Sequence, residues 1–268
     1  MHDFVSINGQ ITSLAQGGIS SASVAALYGK GVFTTIAIRK GLPVHWEKHW
    51  RRLAENARSL SIDLTEHTRE TTRAALVELI DQNHVVDGRA RATFYDEGPS
   101  PIWPSGFESK TGLHLITGER PTAPESFRIA LSPFAVNSRS PLAGIKSCNY
   151  LENILAMAEA KGRGFHEAIR LNEGGHITNG CMSNVFWLKQ NRLFTPNLST
   201  GCLPGTTREF VLENIECEEV EAGIDELNSA DAIFSTSAGI GIVEATEYGL
   251  IRFKRSDHQI LSLLSDLH

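Results

Sequence analysis

Residues 177–208, ITNGCMSNVFWLKQNRLFTPNLSTGCLPGTTR, restrict the fold more than any other stretch of the chain. Residues 185–188 and 192–195 read as two strands turning about Gln190-Asn191. Gly205-Thr206-Thr207 then opens a helix over 206–214. A strand pair followed by a helix start makes this part of the chain mixed in secondary structure. The helix start also has a chemical consequence. Free backbone N–H groups, threonine hydroxyls and the positive end of the helix dipole converge there, so an anion such as a phosphate can be held. An ordinary helix cap is the simpler alternative for the same residues.

Elsewhere strand-like and helical signals alternate. Residues 34–39 read as a strand, and Gly41-Leu42-Pro43 turns the chain. Trp46, Trp50, Leu53, Ala54, Ala57 and Leu60 recur at helical spacing, which predicts an amphipathic helix over 45–61. A second helix is predicted over 67–82, and strands over 89–95 and 113–117. Between those strands, Gly98-Pro99-Ser100-Pro101 and Trp103-Pro104-Ser105-Gly106 form a punctuated loop. After a strand near 127–132, Asn149 precedes an apolar periodic run of Leu151, Ile154, Leu155 and Ala158, with Glu152 three residues on. That spacing predicts a capping box opening a helix that Gly162 ends. A strand over 168–171 turns at Asn172-Glu173-Gly174-Gly175, and another strand lies near 232–235. The segment GERPTAP has the composition of a linker. The expectation is an α+β chain of two lobes: a smaller N-terminal domain over 1–117, a linker over 118–125, and a larger domain over 126–268.

The 268 residues suffice for one large domain or two modest ones. A net charge of −6 argues against an unaided nucleic-acid surface, and no apolar run approaches membrane-spanning length. MHDFVSING lacks a basic and then greasy leader, so the expectation is a cytoplasmic protein. Cys148, Cys181, Cys202 and Cys217 include no CxxC, and the ten histidines include no HExxH, so no metal site is expected. The thiols read as small packing residues.

Lys146 ends the segment Pro141-Leu142-Ala143-Gly144-Ile145-Lys146. A solvated loop lysine is the plain reading. Its flanks are small and apolar, however, and desolvation there favours the neutral, nucleophilic amine. Taken with the downstream motif, the sequence resembles the fold-type IV pyridoxal-phosphate (PLP) enzymes, the class IV aminotransferase family. The match runs from Tyr28-Gly29-Lys30-Gly31-Val32-Phe33 to Ser235-Thr236-Ser237-Ala238. The resemblance implies a two-domain enzyme acting on a small molecule, usually a homodimer, with PLP between the lobes. It implies that Lys146 bonds the cofactor and shuttles protons, and that Arg52 in His49-Trp50-Arg51-Arg52-Leu53 binds the phosphate. Thr206 and Thr207 would hold the phosphate as well, with Ser237 and Ala238 as a second contacting turn. Tyr150 matches a position that faces the cofactor's phenolic oxygen in some members.

Two positions depart from the family. Asn179 stands where its members carry a glutamate that keeps the pyridine nitrogen protonated, and Lys30 replaces a commonly acidic residue. Asparagine can hydrogen-bond but supplies no charge, which implies a weaker electron sink. Phe33-Thr34-Thr35 and Leu142-Ala143-Gly144-Ile145-Lys146 resemble the lyase-type members, which eliminate pyruvate from 4-amino-4-deoxychorismate to give 4-aminobenzoate. Aromatisation drives that elimination. Thr34 would then relay a proton or position the substrate, or it is a strand residue with a satisfied hydroxyl. Arg89 and Arg91 alternate onto one strand face, where either can hold a substrate carboxylate or lie at the surface. Gly201-Cys202-Leu203-Pro204-Gly205 and Asn149-Tyr150 look more like branched-chain or D-amino-acid aminotransferases. The lyase is the favoured reading, with an aminotransferase or a PLP-binding protein of little turnover as alternatives.

Overall fold

The computed structural model describes residues 1–100 and 109–264, so Pro101 and Trp103-Pro104-Ser105-Gly106 of the expected loop lie outside the described residues. Contacts divide the chain into two units, Met1–Arg120 with Ile145–Asn149, and Pro121–Gly144 with Tyr150–His268.

The first unit is one antiparallel sheet with helices on a face. Its strands are β1 (Phe4–Ile7), β2 (Gln10–Ser13), β3 (Gly31–Arg39), β4 (Leu42–Pro43), β5 (Gly88–Asp96) and β6 (Thr111–Gly118), in the order β2-β1-β6-β5-β3-β4. Its helices are α1 (Val24–Tyr28), α2 (Trp46–Ser59) and α3 (Arg69–Gln82). The period of two along each strand decides what faces the helices. Val32, Ile36 and Ile38 of β3 join Ala90, Ala92 and Phe94 of β5 in a core with Leu53 and Ala57 of α2 and Leu76 and Leu79 of α3. Thr34 belongs to that same series. Phe33, Thr35, Arg89, Arg91 and Thr93 occupy the opposite face.

The second unit layers two five-stranded sheets between helices. One sheet, in the order β16-β15-β7-β8-β9, contains β7 (Arg128–Leu131), β8 (Glu167–Leu171), β9 (Ile177–Gly180), β15 (Glu247–Tyr248) and β16 (Ile251–Arg252). The other, in the order β12-β11-β10-β13-β14, contains β10 (Asn184–Lys189), β11 (Arg192–Pro196), β12 (Glu218–Val220), β13 (Ala232–Ser237) and β14 (Gly241–Glu244). Ile129, Ile169 and Ile177 of the first sheet meet Val185, Trp187 and Ile233 of the second in a shared core. Helix α5 (Thr206–Asn214) covers the outer face of the second sheet through Val211, against Phe186, Ala232 and Phe234. Helix α4 (Leu151–Gly162) covers the outer face of the first through Ala156 and Ala160. A short helix α6 (Asp225–Asn228) precedes β13. Gln190 and Asn191 both have positive φ (51° and 61°), as a tight turn joining β10 to β11 requires.

Three expectations need correction. The segment Ile145–Asn149, expected within the second domain, packs with the first unit. Its backbone satisfies itself on β3: Phe33 N–H donates to Lys146 O at 2.9 Å and Cys148 N–H to Gly31 O at 2.8 Å. The predicted capping box at Asn149 does not form. The Asn149 amide donates instead to Gly29 O, Tyr150 occupies the N-cap without a side-chain cap bond, and Glu152 pairs with Arg170. Nor does the apolar run of α4 face inward: Leu151, Ile154 and Leu155 are 66%, 51% and 52% exposed, while the alanines pack on the sheet. The helix does stop at Gly162, but the left-handed residue beyond it is Gly164 (φ 84°).

Candidate active site

The residues singled out in the sequence fall into two groups. Lys146, Arg52, Thr34, Arg89 and Arg91 belong to the first unit, and Tyr150, Asn179, Thr206, Thr207, Ser237 and Ala238 to the second.

In the first unit, α2 brings a polar stripe into the core. Its buried residues include Trp46, Leu53 and Ala57, and also His49, Arg52 and Asn56 at spacings of three and four. Thr34 is fully buried, and its Oγ1 lies 2.7 Å from His49 Nδ1 and accepts from the Arg52 guanidinium at 2.7 Å. Asn56 Oδ1 accepts from the backbone N–H of Lys146 at 2.9 Å, which ties the lysine to α2. Lys146 is half-buried as a residue, with its Nζ 4.6 Å from the centre of the Phe33 ring. Burial, with the Arg52 and Arg91 charges adding to it, pulls its amine down to about 7. The Arg91 guanidinium stacks on the same ring at 3.6 Å and donates to Thr93 Oγ1. Arg89, two residues earlier, is exposed. Only Arg91 of the pair shares the Phe33 ring with Lys146. Such a neutral amine among fixed cations can attack an electrophilic carbonyl or carry a proton, and the guanidinium groups can hold anions.

In the second unit, α5 begins at Gly205, which offers no capping side chain. Asn184, on β10, donates to Leu203 O at 2.7 Å and pairs across the sheet with Thr236 of β13. A Cβ at Gly205 would collide with Asn184 Oδ1, so a larger residue there would have to displace the Asn184 amide from its bond to Leu203 O. Thr206 and Thr207 are both buried. Thr236, the cross-strand partner of Asn184, has a buried Oγ1 with no hydrogen-bond partner among the described residues. Ser237 closes β13, and Ala238 follows in the turn to β14, where Ser237 Oγ accepts from Ile240 N–H. A helix start with no side-chain cap and an unsatisfied hydroxyl suits a phosphate group.

Asn179 is buried on β9 opposite Arg170 of β8, and its amide donates to Gly180 O at 2.7 Å. The loop after it is fixed by Glu167. That buried carboxylate accepts from the N–H groups of Cys181 (2.7 Å) and Met182 (3.1 Å) and from Ser183 Oγ (2.8 Å). Burial pushes its pKa up while these bonds pull it down, with burial prevailing. Tyr150 OH reaches Cys181 O at 3.5 Å, a weak contact, and Asn153 donates to the same oxygen at 2.6 Å. The four cysteines are free thiols, and burial raises those of Cys181 and Cys217 to about 12, which suits packing residues. No metal-binding cluster occurs among the described residues.

His49, Asn56 and Glu167 were not among the sequence candidates. Two of them carried a signal: His49 and Asn56 continue the buried stripe of α2 on either side of Arg52.

The model of the amino-transferase class IV family matches residues 31–248. An aminodeoxychorismate lyase of Bacillus subtilis is 28% identical over 279 residues, covering 98% of this chain and 92% of the relative. Among solved structures, a branched-chain aminotransferase from Thermoproteus uzoniensis with norvaline superposes with a TM-score of 0.91 at 25% identity, covering 100% of this chain and 94% of that one. A putative 4-amino-4-deoxychorismate lyase from Legionella pneumophila gives a TM-score of 0.85 at 26% identity, covering 95% of each.

Proposed function

The chain belongs to the class IV aminotransferase family, and we propose that it is a PLP-dependent lyase converting 4-amino-4-deoxychorismate to 4-aminobenzoate and pyruvate. Membership makes it a PLP-dependent enzyme, lyase or aminotransferase. The observation that carries the cofactor assignment is the Lys146 amine, lowered to about 7. An ordinary surface lysine stays protonated near neutral pH and is a poor nucleophile.

The residues present fit PLP. In this reading Lys146 bonds the cofactor, and Arg52, Thr206, Thr207, Ser237 and Ala238 hold its phosphate, with the orphan hydroxyl of Thr236 as a further donor. Tyr150 and Asn179 contact the ring. Bound there, PLP supplies an electron sink for the electrons left at the substrate carbon. Lys146 Nζ, which titrates at about 7 and so is neutral in a large share of molecules at that pH, takes the proton that leaves that carbon and returns it. Arg91, held flat on Phe33, receives a substrate carboxylate, whereas exposed Arg89 is the weaker candidate. Thr34, enclosed by His49 and Arg52, serves the site through Arg52 and does not itself touch the substrate.

Lyase chemistry is favoured by Asn179, since its neutral side chain supplies no charge to hold the ring nitrogen protonated, and aromatisation drives elimination regardless. The near full-length likeness to the Bacillus subtilis lyase supports the same reading. A branched-chain or D-amino-acid aminotransferase is the second reading, favoured by the likeness to the Thermoproteus uzoniensis enzyme and by Asn149-Tyr150. A PLP-binding protein with little turnover is the third, and it rests on Asn179 alone. No helix among the described residues is long and apolar enough to cross a membrane. We place the protein in the cytoplasm as a homodimer, with the exposed Leu151, Ile154 and Leu155 of α4 as the apolar surface available for pairing.

The deciding experiment supplies purified PLP-loaded protein with 4-amino-4-deoxychorismate, and separately with amino-acid and keto-acid pairs. Release of 4-aminobenzoate and pyruvate supports the lyase. Amino-group exchange without that release supports the aminotransferase. Failure of both with PLP retained supports the third reading.

A further inference from the structure

We propose that Thr34 and His49 form a buried buttress that fixes the Arg52 guanidinium for the phosphate of the ligand, so that both are positioning residues. The proposal rests on the reading of Arg52 as a phosphate ligand.

An arginine on a flexible stem loses rotamer freedom when it binds an anion, and a guanidinium held in place beforehand avoids much of that cost. Thr34 supplies the anchor. Its β-branched side chain is stiff, sits on β3 between β5 and β4 with no exposure, and accepts an Arg52 N–H at 2.7 Å. A hydroxyl that accepts this bond keeps one proton of its own to donate, and His49 Nδ1 stands 2.7 Å away to take it. His49 and Arg52 lie three residues apart on α2 and therefore reach the same strand residue from one helix face. The resulting chain runs one way: Arg52 N–H to Thr34 Oγ1, and Thr34 O–H to His49 Nδ1.

That direction requires an imidazole with no proton on Nδ1. Burial first, and then the Arg52, His45 and Lys146 charges, hold His49 well below the usual histidine range, so the ring is neutral at neutral pH. Placing a threonine hydroxyl and an imidazole in an otherwise apolar core is costly unless each is bonded, and valine and leucine would fill comparable space. The two polar groups are explained if their product is an oriented guanidinium.

The test separates phosphate binding from general stability. Cofactor-free parent, Thr34→Val, Thr34→Ser, His49→Leu and His49→Asn are titrated with PLP and with pyridoxal, which lacks the phosphate. Thr34→Val should weaken PLP about tenfold, the loss of one hydrogen bond to a charged group, and His49→Leu about fivefold, the loss of one between neutral groups, while pyridoxal binding stays within about twofold. Thr34→Ser and His49→Asn, which restore a hydroxyl and an acceptor, should recover most of the loss. In an Arg52→Ala background, Thr34→Val should cost PLP nothing further. Equal losses for PLP and pyridoxal, or no loss for either, overturn the proposal. A parent protein that binds PLP no better than pyridoxal overturns the phosphate reading of Arg52, and the buttress with it. If one of Thr34→Val and His49→Leu fails to fold, the other decides by the same PLP-to-pyridoxal ratio, and if both fail, Thr34→Ala decides by it.

Discussion

Lys146 destabilises the cofactor-free protein at neutral pH, and the sign follows from where its amine titrates. The unfolded chain takes up a proton as pH falls through 10.5, whereas the folded amine refuses one until about 7. Folding stability therefore declines as pH drops across that interval, by at most about 5 kcal/mol, and levels off below it. Lys146→Met should remove this slope and raise the cofactor-free unfolding midpoint at pH 7. Urea unfolding of parent and variant at pH 7 and pH 9.5 measures it; an equal pH dependence in both would mean the amine is not perturbed. Arg52→Ala should weaken PLP retention by about 1.5–3 kcal/mol through loss of a charge-assisted contact. Unchanged cofactor affinity would leave Arg52 a structural residue of α2. Asn179→Glu restores the charge common in the family and should strengthen the electron sink, raising half-transamination with amino acids more than any elimination. Its carboxylate is tolerated only if the ring nitrogen pairs with it. If neither the rates nor the cofactor's absorption spectrum move, Asn179 does not face the ring.

The start of α5 and the end of β9 each place a glycine against a side chain of a neighbouring strand, Asn184 of β10 and Glu167 of β8. A Cβ at Gly205 would collide with Asn184, and one at Gly180 would lie 2.4 Å from Ser183 Oγ and 2.9 Å from Glu167 Cδ. Gly205→Ala should displace the start of α5 and weaken PLP binding more than pyridoxal binding, because its effect falls on the helix start proposed to hold the phosphate. Titration with both ligands checks it. On α4, Leu151→Asp with Ile154→Asp should shift the protein to monomers in sedimentation without unfolding it, since neither side chain supports the core. A parent that is already monomeric, or a variant of unchanged mass, would contradict α4 as the proposed pairing surface. Periodicity made α2 and α3 legible, and the turn residues Gln190-Asn191 marked the β10–β11 hairpin, because those signals are local. The orientation of α4 was not legible: its apolar residues mimic a core face, while the small Ala156 and Ala160 are what fit close to the sheet. His49, Asn56 and Glu167 escaped notice because their partners Thr34, Lys146 and Cys181 are brought near only by tertiary folding.

The residues proposed for the site are divided between the two units, and one stretch of chain is exchanged between them. After Gly144 the backbone leaves the second unit for five residues, lays Lys146 along β3 and against α2, and returns at Tyr150. A linear reading assigned this segment to the C-terminal half, since nothing in Ile145–Asn149 announces which sheet will satisfy its backbone. The family was readable, and its model matches residues 31–248, while the roles of the lysine in its apolar flank, the arginine of α2 and the glycine-threonine helix start belong to the proposed function. The central claim is that Lys146 is the residue that bonds PLP. Borohydride reduction of the PLP-loaded protein, followed by peptide mapping, tests it most directly. The account predicts that the visible absorption is abolished and that the cofactor is recovered on the peptide containing Lys146. Recovery on a different lysine, or no covalently bound cofactor at all, would contradict it.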